Sequence, residues 1–120
     1  HYWSVQLTRE ASKDEVLDAF RTSSRIVFLR NGDGLSAINS VKELMADLGR
    51  PHDSLYEVAL WEDMLKVQGN ELFYAYMVDN QAIVVPETID AIRALTGAEP
   101  DAETSIRDTN DSLGIGSLGL

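Results

Sequence analysis

Cysteine is absent from these 120 residues, lysine appears only at positions 13, 42 and 66, and histidine only at His1 and His52. Without a thiol, the chain has no disulfide, no zinc-thiolate or iron–sulfur site and no cysteine nucleophile of its own. The two histidines stand far apart without metal-ligand spacing, so no histidine-based metal site is expected. Long apolar runs are also missing. None approaches the roughly 20 residues of a membrane-spanning helix, and no segment has the layout of a signal peptide. A start at His1 without Met reads as a segment of a longer protein. Basic charge is scarce: ten Lys and Arg oppose twenty Asp and Glu, a net charge of -10. That excludes a nucleic-acid surface, because phosphate binding needs positive patches.

The acidity has two readings. One is a binder of cations or basic partners. The other is a protein working in high salt, where ions screen its self-repulsion over a few Å. The acids are spread over many elements and lysine is rare, which favours high salt. The fold should then loosen as ionic strength falls.

What remains is ordinary for a folded domain, with 44% hydrophobic and 25% charged residues. The length supports a single domain over 1–120, with a helix and a Gly-rich, frayed tail over 98–120. Val5 and Leu7 alternate with polar neighbours and read as the end of a strand. Ser12-Lys13-Asp14-Glu15 matches a capping box, and Val16, Leu17 and Phe20 form one face of the helix it opens. Arg25–Arg30 is a short apolar run suited to a strand covered on both faces. Asn31-Gly32-Asp33-Gly34 is a turn.

The spacing of Ile38, Val41, Leu44, Met45 and Leu48 predicts a second helix from near Ser36, stopped by Gly49 and Pro51. Leu55–Trp61 is the next strand, interrupted at Glu62-Asp63 before Met64–Gln68. Gly69-Asn70 then turns the chain into Glu71–Val78 as a type II′ hairpin. Pro86 suits the first position of a third helix with a stripe of Ile89, Ile92 and Leu95. A last helix over Ala102–Leu113 has only Ile106 and Leu113 as strong apolar anchors and needs a partner surface. The order β-α-β-α-β-β-β-α-α predicts an α+β fold: a mixed, largely antiparallel sheet with helices mainly on one face.

Asp79-Asn80-Gln81, between a strand and a Pro-opened helix, is the strongest candidate for chemistry, since its side chains supply donors and acceptors at a mouth. Such residues also dominate ordinary polar turns, and the residues themselves leave both readings open. Asn31–Gly34 lacks the spacing of a phosphate loop. Arg25 and Arg30 either reach a phosphate at a sheet edge or cap their strand and pair with surface acids. Glu57, Glu62 and Asp63 form no evident acid–base pair. Trp61 reads as packing, and Asp108 and Asp111 as a solvated face.

Leu72–Leu95, from an aromatic strand through Asp79-Asn80 into Val84-Val85-Pro86-Glu87-Thr88-Ile89-Asp90-Ala91-Ile92-Arg93-Ala94, resembles the closing part of the catalytic domain of archaeal, type II glyceraldehyde-3-phosphate dehydrogenases. Gly34-Leu35, Leu48-Gly49-Arg50, Leu55-Tyr56-Glu57, Val67-x-Gly69-Asn70 and Thr109-Asn110 extend the resemblance from about His1 to Gly114. It implies an NADP- or NAD-linked oxidation of glyceraldehyde 3-phosphate with inorganic phosphate, through a thioester on a cysteine. It also implies a cytoplasmic homotetramer and a nucleotide-binding domain outside this chain. The nucleophile is missing here too, so no catalytic residue is assigned and this stretch alone is expected to be inactive and to hold no cofactor tightly.

Val78-Asp79-Asn80-Gln81 is similar to the Tyr-Asp-Asn-Glu turn of bacterial and eukaryotic relatives, whose Asn bonds the nicotinamide carboxamide. The resemblance therefore implies cofactor binding by Asn80. Archaeal relatives often carry His-Gln-Glu-Ser there, so this turn departs from its nearer kin. His1 stands in register with the last histidine of a His-x-His segment whose general base would lie two residues upstream; it also reads as a plain exposed terminal residue. The competing expectation is a stand-alone α+β ligand-binding or oligomerisation module without catalysis.

Overall fold

The structure, a computed structural model, describes residues 1–118. Within them the elements follow in the expected order. They are β1 (Tyr2–Gln6), α1 (Lys13–Arg21), β2 (Ile26–Leu29), α2 (Ile38–Asp47), β3 (Val58–Trp61), β4 (Lys66–Gln68), β5 (Glu71–Met77), α3 (Val84–Thr96) and α4 (Ala102–Leu113). The sheet runs β1-β5-β3-β2, with β4 also paired to β5. β5 is antiparallel to β1, β3 and β4, and only β2 and β3 are parallel. A parallel pair needs a crossover, which α2 supplies. Because β1 occupies one side of β5, β3 and β4 lie end to end along the other. The short turn Glu62–Met64 joins them, which explains the interruption in the sequence.

The mixed α+β class holds, but the helices divide between the faces instead of gathering on one. Consecutive strand residues point to opposite faces. Phe28 and Leu60 therefore join Val16 and Leu17 of α1, while Leu29 and Ala59 join Val41 and Met45 of α2. The central strands are apolar on both faces, so each face recruits its own helix. Leu29, Met45, Leu55 and Leu60 are among the largest fully buried side chains. Each such burial contributes about 1.5–3 kcal/mol relative to exposure.

Local signals explain most boundaries. At α1 the Glu15 amide donates to Ser12 Oγ at 3.1 Å and the Ser12 amide donates to Glu15 Oε2 at 2.8 Å, a reciprocal cap. At the β4–β5 hairpin Gly69 has φ +61° while Asn70 stays out of the left-handed region, as a type II′ turn requires. The third helix starts earlier than Pro86 predicts. The Asp79 carbonyl accepts from the Ala82 and Ile83 amides, coiling the chain early, so α3 opens at Val84. Pro86 still falls in the first turn, where a missing N–H costs nothing.

Two expectations about the C-terminal third are corrected. Ile92 and Leu95 are 55% and 87% exposed rather than core, although Ile89 is partly buried. α4 is anchored by buried Ser105, Thr109 and Asn110, while Ile106 is largely at the surface. The tail packs through its described residues: Ile115 lies against Tyr56 and Ala82, and Leu118 joins the α2 face of the core. The expected fraying of Gly119 and Leu120 lies outside the described residues. A Cα radius of gyration of 15.7 Å exceeds the roughly 13.6 Å typical of this length. The shape is accordingly a slab with much apolar surface uncovered.

Candidate functional site at the end of the central strand

β1, β2 and β3 all begin at the end of the sheet where β5 finishes. The turn after β5 opens there. Asp79 organises it: Oδ1 accepts from the Gln81 amide at 3.1 Å and the Ala82 amide at 3.3 Å, the pattern of an Asx turn. Its other oxygen accepts from Lys42 Nζ on α2 at 3.1 Å. Partial burial pushes the Asp79 carboxyl up, but the Lys42 ammonium and the two amides outweigh it and hold it below the usual carboxylate range. Asp79 is thus ionised and structural.

Asn80 occupies the corner of this turn. It is exposed, and its side chain makes no hydrogen bond among the described residues. A free carboxamide carries two donors and an acceptor, the complement of another carboxamide. Gln81 is exposed beside it, contributing its backbone N–H to Asp79. The sequence-predicted trio therefore splits, with Asp79 holding the turn and Asn80 exposed at its corner.

His1 lies at the same end of the sheet. Its ring stacks on Tyr76 with centroids 5.0 Å apart, its amino group donates to the Tyr76 carbonyl at 2.8 Å, and Trp3 Nε1 donates to the Tyr76 hydroxyl at 3.1 Å. The imidazole is exposed. His1 thus neighbours the strand that leads into the Asn80 turn.

Two ion networks fix the elements around this end. In one, Arg25 donates from Nε to Asn110 Oδ1 at 2.9 Å, and its terminal nitrogens donate to Glu87 and Asp90 at 2.6 Å each. Asp90 also accepts from Ser105 Oγ at 2.6 Å and Thr109 Oγ1 at 2.8 Å. Burial raises its carboxyl, but the two hydroxyls and the guanidinium prevail and lower it. The start of β2, α3 and α4 are joined by this network. The second reading of Arg25 holds: it pairs with acids. Arg30 likewise lies 3.0 Å from Glu62 Oε2.

In the other network Glu57 is fully buried against Arg50, in an ion pair and not an acid–base pair. The guanidinium also donates to the Gly114 carbonyl at 2.8 Å, tying the tail to the start of β3. No charge periodicity marks Arg50 and Glu57 as partners. Only the intervening turn, with its left-handed His52 and Asp53, brings them together. Trp61 is partly buried and donates to the Leu35 carbonyl at 2.9 Å, a packing role.

The structure defines an α+β domain with an open sheet and, at one end of that sheet, a rigid turn offering a free carboxamide. No protein-family model matches the chain. Curated proteins named glyceraldehyde-3-phosphate dehydrogenase do. The one from Methanopyrus kandleri is 41% identical over 115 residues, 96% of this chain and 33% of the relative. Those from Methanobrevibacter smithii and Metallosphaera sedula are each 39% identical, covering 96% and 97% of this chain and 34% of the relative. The chain spans about a third of the length of the curated relatives it matches. Over nearly its whole length the chain is thus similar to archaeal proteins named glyceraldehyde-3-phosphate dehydrogenase, matching one third of each.

Proposed function

We propose that this chain forms part of a phosphorylating dehydrogenase that oxidises glyceraldehyde 3-phosphate to 1,3-bisphosphoglycerate with NAD or NADP and inorganic phosphate. The supporting observation is the alignment of 96% of the chain with proteins of that name. A nicotinamide, when bound, supplies the hydride acceptor. Asn80 holds its carboxamide, and its own unpartnered amide fits that role by donor and acceptor count. Fixing the ring this way decides which face meets the substrate, a positioning effect on hydride transfer.

The nucleophile and the nucleotide domain lie outside this chain, which has no cysteine, so the portion alone is inactive. The whole protein is a cytoplasmic homo-oligomer, and its net charge of -10 over this portion suits high salt. The test is a paired assay in molar potassium chloride. The full-length protein should reduce NADP or NAD when given glyceraldehyde 3-phosphate and phosphate, and the 120-residue portion should not. Turnover by the portion, or none by the full-length protein, overturns the reading.

A further inference from the structure

Asn80 sits in a turn that is bolted to a helix on the other side of the chain's topology, and the bolt is a single ammonium group. Lys42 Nζ donates to Asp79 Oδ2 at 3.1 Å and to the Asp53 carbonyl at 2.6 Å. Among the described residues, Asp53 and its neighbour His52 are the non-glycine residues with left-handed backbone, at φ 53° and 56°. The same Asp79 carboxylate holds the Gln81 and Ala82 amides with its other oxygen. One oxygen therefore shapes the corner that carries Asn80, and the other fixes that corner against α2 and the His52–Asp53 loop. Lys42 and Asp79 are 38% and 21% exposed, so the pair is neither fully screened nor fully buried.

We infer that Lys42 is a positioning residue for cofactor binding: its bridge from the Asp53 carbonyl to Asp79 sets where the Asn80 carboxamide points. This rests on the assignment of Asn80 to the nicotinamide. Asn80 has no other side-chain tether among the described residues, so its placement depends on the turn backbone alone. Losing the bridge leaves the Asx turn formed but free to shift as a unit. A misplaced carboxamide weakens the grip on the nicotinamide without touching the aldehyde or phosphate sites.

The test uses the full-length enzyme with NAD or NADP as the probe, in four forms: wild type, Lys42→Met, Asn80→Ala and the double variant. Lys42→Met should raise the cofactor KM about three- to fivefold, the loss expected of one partly exposed ion pair, with the KM for glyceraldehyde 3-phosphate unchanged. In the Asn80→Ala background the same substitution should add almost nothing, because a residue acting through Asn80 has nothing left to position. A merely structural lysine would give additive effects, or raise both KM values, and either result overturns the inference. An unchanged cofactor KM in Asn80→Ala overturns the nicotinamide assignment itself, and the role of Lys42 with it. Should Lys42→Met fail to fold, Asp79→Asn carries the same cycle. It keeps an oxygen for the two amides, removes the charge that Lys42 grips, and should give the same cofactor-specific, non-additive rise.

Discussion

Arg50 and Glu57 meet as two forks, each terminal nitrogen of the guanidinium 2.7 Å from one carboxylate oxygen, with side chains only 5% and 0% exposed. Tyr56 lies under the guanidinium at 5.5 Å, and its terminal nitrogens also donate to the Ser54 and Gly114 carbonyls. A buried pair stabilises only while both partners and their hydrogen bonds persist.

Removing one partner should therefore cost far more than removing both. Glu57→Leu should destabilise by about 3–5 kcal/mol, by stranding a buried guanidinium. The Arg50→Met, Glu57→Leu double variant should recover most of that loss. Urea unfolding at constant high salt checks this, and a double variant no more stable than the single one would show that the pair itself is indispensable.

The junction of α3 and α4 should be acid-sensitive through Asp90. Its carboxyl is held below the usual range in the folded chain, despite burial, by Ser105, Thr109 and Arg25. A depressed folded value means stabilisation fully present above the unfolded value and lost as pH falls through the folded one. Protection of the α4 amides from hydrogen exchange should thus decline below about pH 4. In Asp90→Asn the protection should be weaker at neutral pH and lose that acid dependence. An unaltered acid profile in the variant would assign the transition to other carboxylates.

The same junction distinguishes polar from apolar anchoring. Thr109 is fully buried and bonded to Asp90, whereas Ile106 is 37% exposed. Thr109→Val should cost about 1–3 kcal/mol, by leaving a partly buried carboxylate short of a donor. Ile106→Ala should cost less than about 1 kcal/mol. Thermal melts of the two variants in the same buffer order them.

How far the sequence foretold this depends on the kind of signal. The Ser12–Glu15 cap and the Gly69 turn are local chemistry and appear where the residues place them. The strand interruption at Glu62-Asp63 and the order of elements were equally plain. Periodicity marked Ile92 and Leu95 as an apolar stripe but carries no information about what covers it, and both are exposed here. Hydrophobic counting missed the true anchors of α4, which are Ser105, Thr109 and Asn110. The division of helices between two faces was missed because an apolar strand run does not say which helix it will meet. At the site, the resemblance singled out Asn80, but nothing in the sequence foretold that Asp79 builds the turn that carries it; that is visible only in the geometry.

Those exposed residues make a solution prediction. Tyr2 and Leu95 are more than four-fifths exposed, and Val84 and Ile92 more than half. Surfaces of this kind associate. Sedimentation of the isolated chain in high salt should show self-association, weakened by Leu95→Ser. A monodisperse monomer at all concentrations would contradict this.

The role proposed for this domain is in a phosphate-consuming aldehyde oxidation. The most direct measurement follows NADPH or NADH formation by the full-length protein with glyceraldehyde 3-phosphate, with inorganic phosphate first omitted and then added. Sustained turnover and 1,3-bisphosphoglycerate are expected only after phosphate is added. Turnover of equal rate without phosphate, or no reduction with it, would rule out that role.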